Sequence, residues 1–245
     1  MNTYRVNPTD RLSALKRTLD AQGFVRALEA HSGLSGIVAE RSQINESDGS
    51  IREFNAIWES SLTDSATKGL PDASIVGTES RIHTINEILQ VTTKPLIVDG
   101  DTGGEIAQFE FMVSSLERIG VSAVIIEDKV FPKRNSLDAS ASQELEDPDR
   151  FAAKISAGKS ATVSPDFMII SRLESLIAGH GVDDALRRAE IYINAGTDGI
   201  MIHSNKSQPD DLFKFVEKYE ALCNRLGKRP VLVGVPTTYN QYKEP

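Results

Sequence analysis

The chain has 245 residues, 40% hydrophobic and 25% charged, an ordinary globular balance with enough length to bury one large core. The formal net charge is -8 with both signs spread along the chain, and no dense Lys/Arg block is present to neutralise a phosphate backbone, so no nucleic-acid partner is expected. Met1–Asp20 lacks the apolar core of a signal peptide, no run approaches the ~18 apolar residues of a membrane span, and a single cysteine, Cys223, excludes an internal disulfide; a cytoplasmic protein with no membrane partner, and with Cys223 as a buried thiol, is expected.

In chain order, the pattern first predicts a helix over Arg11–Ala21, capped by Thr9 or Asp10. Two weaker strand candidates, Phe24–Glu29 and Asn55–Trp58, flank a polar stretch, Glu40–Ile51, whose Asp48-Gly49 pair reads as a surface loop. A helix over Thr78–Leu89 leads to the first clear strand, Pro95–Asp99. Helix Ile106–Ile119 and strand Ala123–Glu127 follow, then helix Asp149–Ser160 and strand Phe167–Ser171. Helix Val182–Asn194, strand Gly199–His203, helix Pro209–Leu226 and strand Pro230–Val235 complete the series. The strands are about five residues long and rich in Val and Ile, as buried strands are. Asp147-Pro148 reads as a cap with proline at the first helical position, and Gly120, Gly196 and Gly227 as left-handed helix ends.

Seven strands alternating with helices predict parallel β/α units joined by right-handed crossovers. Polar residues gather where strands end: Asp99, Asp101, Glu127, Arg172 and His203. In a (β/α)8 TIM-type barrel that end is the catalytic face. A single barrel domain over 1–245 is expected, with a doubly wound open sheet as the alternative.

Asp99-Gly100-Asp101-Thr102-Gly103-Gly104 ends a strand in two carboxylates followed by a glycine turn. One or two carboxylates plus waters suffice for Mg2+, although the same pattern also serves as a capped turn. Glu127 and Asp128 end the next strand and suit holders of metal-bound water; Lys129, Lys133 and Arg134 add positive charge and Asn135 an amide. Arg172, with Glu174 two residues on, suits a phosphate or carboxylate, or a salt bridge within the fold. His203 and His31 each read as a ligand or as a hydrogen-bonded structural residue. No Gly-x-Ser-x-Gly elbow, phosphate-binding GxxxxGK loop or zinc-spaced Cys/His set is present.

The run Glu127-Asp128-Lys129-Val130-Phe131-Pro132-Lys133-Arg134-Asn135-Ser136 resembles the signature of the phosphoenolpyruvate mutase family, within the isocitrate lyase superfamily of (β/α)8 barrels. Glu29–Ser35, Trp58, Asp99-x-Asp101-Thr102-Gly103, Arg172-x-Glu174, Ile177-Ala178-Gly179, His203-Ser204 and Pro236-Thr237-x-Tyr239 match in order. The resemblance implies a Mg2+-dependent isomerase that interconverts phosphoenolpyruvate and phosphonopyruvate by intramolecular phosphoryl transfer. It implies Asp99 as the metal anchor, with Asp101, Glu127 and Asp128 arranging the metal's waters. It places Arg172 and His203 at the phosphoryl group, and Lys133 and Asn135 on a gating loop running from Lys129 to Ser136. Trp58, Ser60, Ser61 and Leu62 would line the carboxylate end of the substrate, and Asp72 would lie in a mobile loop. The family also implies a homo-oligomer, dimer or tetramer.

Relatives separate by residue. The lyases carry a lid cysteine within a Lys-Lys-Cys-Gly-His motif, which is missing here. Phosphonopyruvate hydrolase, the alternative reading, typically has threonine where this chain has Asn135, and a catalytically silent barrel acting as a binding subunit is a third. The chain departs from the family's Trp-Gly-Ser-Gly-Leu at Glu59 and Ser61, and it is longer by roughly a dozen residues between its first two strands, a span a surface loop absorbs. It also stops before the family's eighth β/α unit, so a barrel lacking that unit is expected.

Overall fold

The computed structural model describes residues 6–138, 142–236 and 238–239, so Thr237 of the matched Pro236-Thr237-x-Tyr239 segment lies outside the described residues. In chain order the elements are α1 (Pro8–Gln22), β1 (Ala27–Ala30), α2 (Gly33–Arg41), β2 (Gln43–Asn45), β3 (Ile51–Glu53), β4 (Ala56–Glu59), α3 (Ser61–Thr67), α4 (Thr78–Val91) and β5 (Leu96–Asp99). There follow α5 (Ile106–Arg118), β6 (Ala123–Glu127), α6 (Pro148–Ala161), β7 (Met168–Leu173), α7 (Gly181–Ala195), β8 (Gly199–Ile202), α8 (Asp210–Leu226) and β9 (Val231–Gly234).

Seven strands form one sheet in the order β1-β4-β5-β6-β7-β8-β9. Sheet order follows chain order without a reversal. A doubly wound sheet reverses at its switch point, so the alternative topology is excluded and the order is that of a (β/α)8-type barrel with seven strands among the described residues. β1 pairs with β4 and β4 with β5 in parallel register, as β7 does with β8 and β8 with β9. All seven predicted strands are present. Their Val/Ile runs fill the interior: every residue of β5, β6 and β8 is buried. No described helix is long and apolar enough to cross a membrane.

The chain divides into two compact units. The first runs to residue 100 and adds 111–124 and 162–168; the second takes 101–110, 125–161 and the residues from 169 onward. In the first, Arg11 is buried and donates from Nη2 to the carbonyls of Leu89 (3.1 Å) and Thr92 (2.6 Å), satisfying acceptors that the end of α4 leaves open. In the second, Phe151 of α6 and Tyr192 of α7 pack with ring centroids 4.8 Å apart. A Cβ at Gly158 of α6 would lie 2.3 Å from Phe109 Cε1, so only glycine permits that approach.

Local differences from the sequence expectations have physical causes. The N-cap position of α1 is Asn7, which makes no side-chain capping bond, and not Thr9 or Asp10; Pro8 opens the helix because proline without an N–H fits where no intrahelical partner exists. The polar stretch Glu40–Ile51 is not simply a loop: β2 and β3 form an antiparallel hairpin, with Gly49 at φ +83°. Its residues are exposed, so no buried alternation marked the strands, although Asp-Gly is a hairpin signal. α2 contains Gly33 and Gly36, which weaken helix propensity; a Ser32/Ser35 capping box holds its start. The Asp147 cap is present: its Oδ1 accepts from the N–H groups of Asp149 and Arg150, both at 3.0 Å. Gly120, Gly196 and Gly227 all take left-handed φ values, and Cys223 is buried.

Candidate active site

In the second unit, three strand ends and one excursion of the chain converge. After β6, Lys129 bridges Leu145 in antiparallel fashion, and Glu146 N donates to Asp128 O at 3.0 Å. This short ladder is the base from which the segment Lys129–Ser136 leaves and returns. Ser136 fixes the returning end. Its Oγ donates to Glu174 Oε2 (2.8 Å) and accepts from Lys129 Nζ (2.5 Å) and Arg172 Nη2 (3.1 Å), filling the hydroxyl's one donor and two acceptor positions. Lys129 also donates to Arg134 O at 2.8 Å and lies 3.4 Å from Glu174 Oε2. Lys133 is buried and pairs with Asp101 Oδ1 at 2.7 Å. Asp101 takes a left-handed φ of +54°, and its carbonyl accepts from Glu127 N at 2.8 Å.

Glu174, at 0% exposure, is the hub of this network. It pairs with Arg172 Nε, and its Oε1 stands 2.9 Å from His203 Nδ1. His203 Nδ1 is also 2.8 Å from Arg172 Nη2; one ring nitrogen either accepts from the guanidinium or donates to the carboxylate. Burial, then the adjacent Arg172, lowers the His203 pKa against the pull of Glu174, so the ring is neutral near pH 7. Burial alone would raise Glu174, but Arg172, His203 and Lys129 together hold it below the usual carboxylate range. Glu127 goes the other way. Burial pushes it up to about 7, although Arg172 and Lys133 oppose this. Its Oε2 lies 3.6 Å from Arg172 Nη2, and its buried Oε1 has no hydrogen-bond partner among the described residues.

Asp128 takes a different set of partners. Oδ1 accepts from Glu174 N at 2.9 Å; Oδ2 accepts from Tyr192 Oη at 2.9 Å and Arg188 Nη1 at 3.2 Å. Asn135 Oδ1 accepts from Leu137 N at 2.8 Å, and its carbonyl accepts from Gln143 Nε2 at 3.0 Å, so the residue shapes the turn it stands in.

In the first unit, Asp99 ends β5, and its Oδ2 accepts from Ser61 Oγ at 3.0 Å. Arg81 donates from Nη1 to the Asp99 carbonyl. Trp58 lies on β4, Ser60 is the N-cap of α3, exposed Leu62 follows on α3, and half-buried Asp72 lies in the connection to α4. Glu59 and Ser61, the two departures from the family pattern, are both buried. Glu29 accepts from Thr63 Oγ1 at 2.5 Å and approaches His31 Nδ1 at 2.9 Å, which gives His31 a local carboxylate partner.

The second unit thus brings Asp101, Glu127, Lys129, Lys133, Ser136, Arg172 and His203 into one network, and the first pairs Ser61 with Asp99. Sequence reasoning missed Arg188, Tyr192, Lys154 and Arg81. All four had a readable signal: each is a polar residue on the buried stripe of its helix, Arg81 in line with Thr84, Ile85 and Ile88. Arg188 and Tyr192 stand in line with Ala185 and Ala189, and Lys154 with Phe151 and Ile155. A charge in such a stripe requires a buried partner, and Lys154 has Glu146 at 3.0 Å and the Thr102 carbonyl at 2.9 Å.

The sequence model of the family described as phosphoenolpyruvate phosphomutase matches residues 15–239. The phosphonopyruvate hydrolase of Variovorax sp. is 37% identical over 232 residues, 94% of this chain and 74% of that protein. The crystal structure of a phosphoenolpyruvate phosphomutase from Streptomyces platensis subsp. rosaceus shares the fold with a TM-score of 0.84 at 37% identity, covering 95% of this chain and 75% of that one. A phosphonopyruvate hydrolase in complex with oxalate and Mg2+ gives a TM-score of 0.79 at 35% identity, covering 94% and 74%. A polar network of this kind at the strand ends of a parallel β/α sheet, on a chain matched along nearly its whole length, leads to one conclusion: the chain belongs to the phosphoenolpyruvate phosphomutase family.

Proposed function

We propose that the chain is a Mg2+-dependent mutase that interconverts phosphoenolpyruvate and phosphonopyruvate. In that reaction the bond from phosphorus to the enolate oxygen breaks, and a bond from phosphorus to carbon three of the same enolate forms. A migrating phosphoryl group must be positioned, charge-stabilised and kept from water. The observation that carries the reading is the seating of the Lys129–Ser136 segment. Lys133 is buried on Asp101, and Ser136 is tied at once to Lys129, Arg172 and Glu174. A segment anchored in this way excludes water from the strand ends of its unit.

The residues suit a hard divalent cation. Mg2+ keeps most of its waters and takes few protein ligands, so one or two carboxylates at the strand ends suffice to hold it. Asp99 is the direct ligand in this reading. Glu127, with a buried oxygen lacking a partner among the described residues, and Asp101 order water. When bound, the cation supplies charge stabilisation for the enolate. Asp128, whose oxygens accept from three protein donors, orients the end of β6. Arg172 and neutral His203 contact the phosphoryl oxygens, with Glu174 aligning both. Asn135 donates from its amide nitrogen, because its amide oxygen serves Leu137 N. Trp58, Ser60 and the backbone near Leu62 receive the substrate carboxylate, and Asp72 belongs to the adjoining connection.

Hydrolysis of phosphonopyruvate is the second reading, favoured by the 37% identity to the Variovorax protein. 31P NMR of the purified chain with phosphonopyruvate and Mg2+ decides. A phosphoenolpyruvate resonance is the expected outcome. Accumulation of inorganic phosphate identifies a hydrolase, and an unchanged substrate signal identifies a silent barrel.

A further inference from the structure

Ser61 opens α3, and its hydroxyl lies 3.0 Å from Asp99 Oδ2. Ser61 is 1% exposed and Asp99 6%, so bulk water does not compete for this bond. The helix carrying the hydroxyl is itself anchored. Asp64, at 0% exposure, accepts from Thr84 Oγ1 of α4 at 2.7 Å and pairs with Lys68 at the end of α3, while Lys68 Nζ donates to the same Thr84 oxygen at 2.7 Å. On the other side, the Asp99 main chain is held through its carbonyl by Arg81. The carboxylate is therefore fixed at both ends, by a guanidinium on its backbone and a hydroxyl on its side chain.

We infer that Ser61 is a positioning residue for a divalent cation at Asp99, an inference that rests on the reading of Asp99 as the cation's direct ligand. A carboxylate offers about four acceptor positions, of which the Ser61 hydroxyl takes one and helps to fix the group's orientation. Partners of a metal ligand that fix its orientation typically contribute 10–100-fold in metal affinity. Glycine, which the family resemblance places at this position, has no donor to offer. The Ser61 hydroxyl thus sets how tightly the cation is held before any substrate arrives.

The test uses the full chain, stripped of metal, and Mn2+ alone as probe, with free Mn2+ read by electron paramagnetic resonance. Ser61→Ala should weaken Mn2+ binding about 10-fold, and Ser61→Thr, which keeps the hydroxyl, should restore most of it. Thermal melts without metal accompany each variant. A merely structural role would lower the melting temperature without moving Mn2+ affinity in the folded fraction. Unchanged Mn2+ affinity in Ser61→Ala overturns the inference, as does a loss in Ser61→Thr equal to that in Ser61→Ala. Asp99→Asn separates the two layers of argument. If it leaves Mn2+ affinity intact, Asp99 is not the ligand, and the reading beneath the inference falls together with it.

Discussion

Glu127 and Asp128 are neighbours at the end of β6, yet their surroundings differ. Successive side chains of an extended strand point to opposite faces, so the two carboxylates enter different environments. Asp128 meets Arg188, Tyr192 Oη and the Glu174 N–H, and is held from three directions. Glu127 meets Arg172 at 3.6 Å and keeps one buried oxygen without a hydrogen-bond partner among the described residues. One side of the strand end is a completed structural network. The other is incomplete and carries the Lys129–Ser136 segment. A buried carboxylate left partly unsatisfied costs stability, and such costs are tolerated where a ligand completes the set.

The largest expected effect breaks the completed side. Arg188→Ala leaves Asp128 buried beside Tyr192 without its cation, and loss of one partner of a buried pair costs about 3–5 kcal/mol. Denaturant unfolding should register that loss. Glu127→Gln, one residue away, should leave unfolding free energy at neutral pH unchanged or higher while turnover falls about 10–100-fold. Equal destabilisation by both variants would remove the distinction between the two sides.

The Lys129–Ser136 segment gives the next effect. Asn135 stands between Lys133, buried on Asp101, and Ser136, tied to Glu174. Asn135→Ala removes an amide donor that the proposed reaction uses in its transition state. It should lower kcat about 10²–10³-fold with a modest change in KM. Steady-state kinetics in both directions measure it. A raised KM with unchanged kcat would assign Asn135 to ground-state binding. Gly158→Ala acts on packing alone. Its new methyl would meet Phe109 and Ile169, so it should destabilise by about 1–3 kcal/mol and leave KM untouched.

These contrasts also mark what the sequence made legible. The strands were readable because burial on both faces demands unbroken Val/Ile runs such as Ala123–Glu127, and the turn glycines because only they take left-handed angles cheaply. Asp101, Glu127, Arg172 and His203 were readable as polar residues ending apolar runs. The partners of Asp128 were not, because Arg188 lies 60 residues away and the crossover that brings it back is set by the sheet, not by local sequence. The β2–β3 hairpin escaped because its exposed residues carry no burial pattern. The resemblance places Ser61 at the substrate, and its hydrogen bond to Asp99 emerges only once α3 is placed beside the end of β5.

A pH dependence separates the two carboxylates once more. Burial raises Glu127 from 4.5 to about 7 and Asp128 from 3.8 to about 6. A carboxyl whose folded pKa lies above its unfolded value binds a proton in the fold that the unfolded chain has released. Its contribution is fully present below the unfolded pKa and is lost as pH rises through the folded one. Metal-free protein should therefore lose stability from these groups as pH climbs from about 4 to 7, and above 6 the loss belongs to Glu127. His203 opposes it: its folded pKa is lowered from 6.5, so its contribution grows as pH rises toward that value. The wild-type slope is thus a difference of opposed terms. Subtracting the unfolding free energies of wild type from those of Glu127→Gln at each pH cancels most of the histidine contribution. That difference should grow in favour of the variant between pH 4.5 and 7 and then level off. A flat difference across the window would mean that Glu127 ionises in the fold as easily as it does in water, and that the incomplete side of β6 needs no cation to balance it.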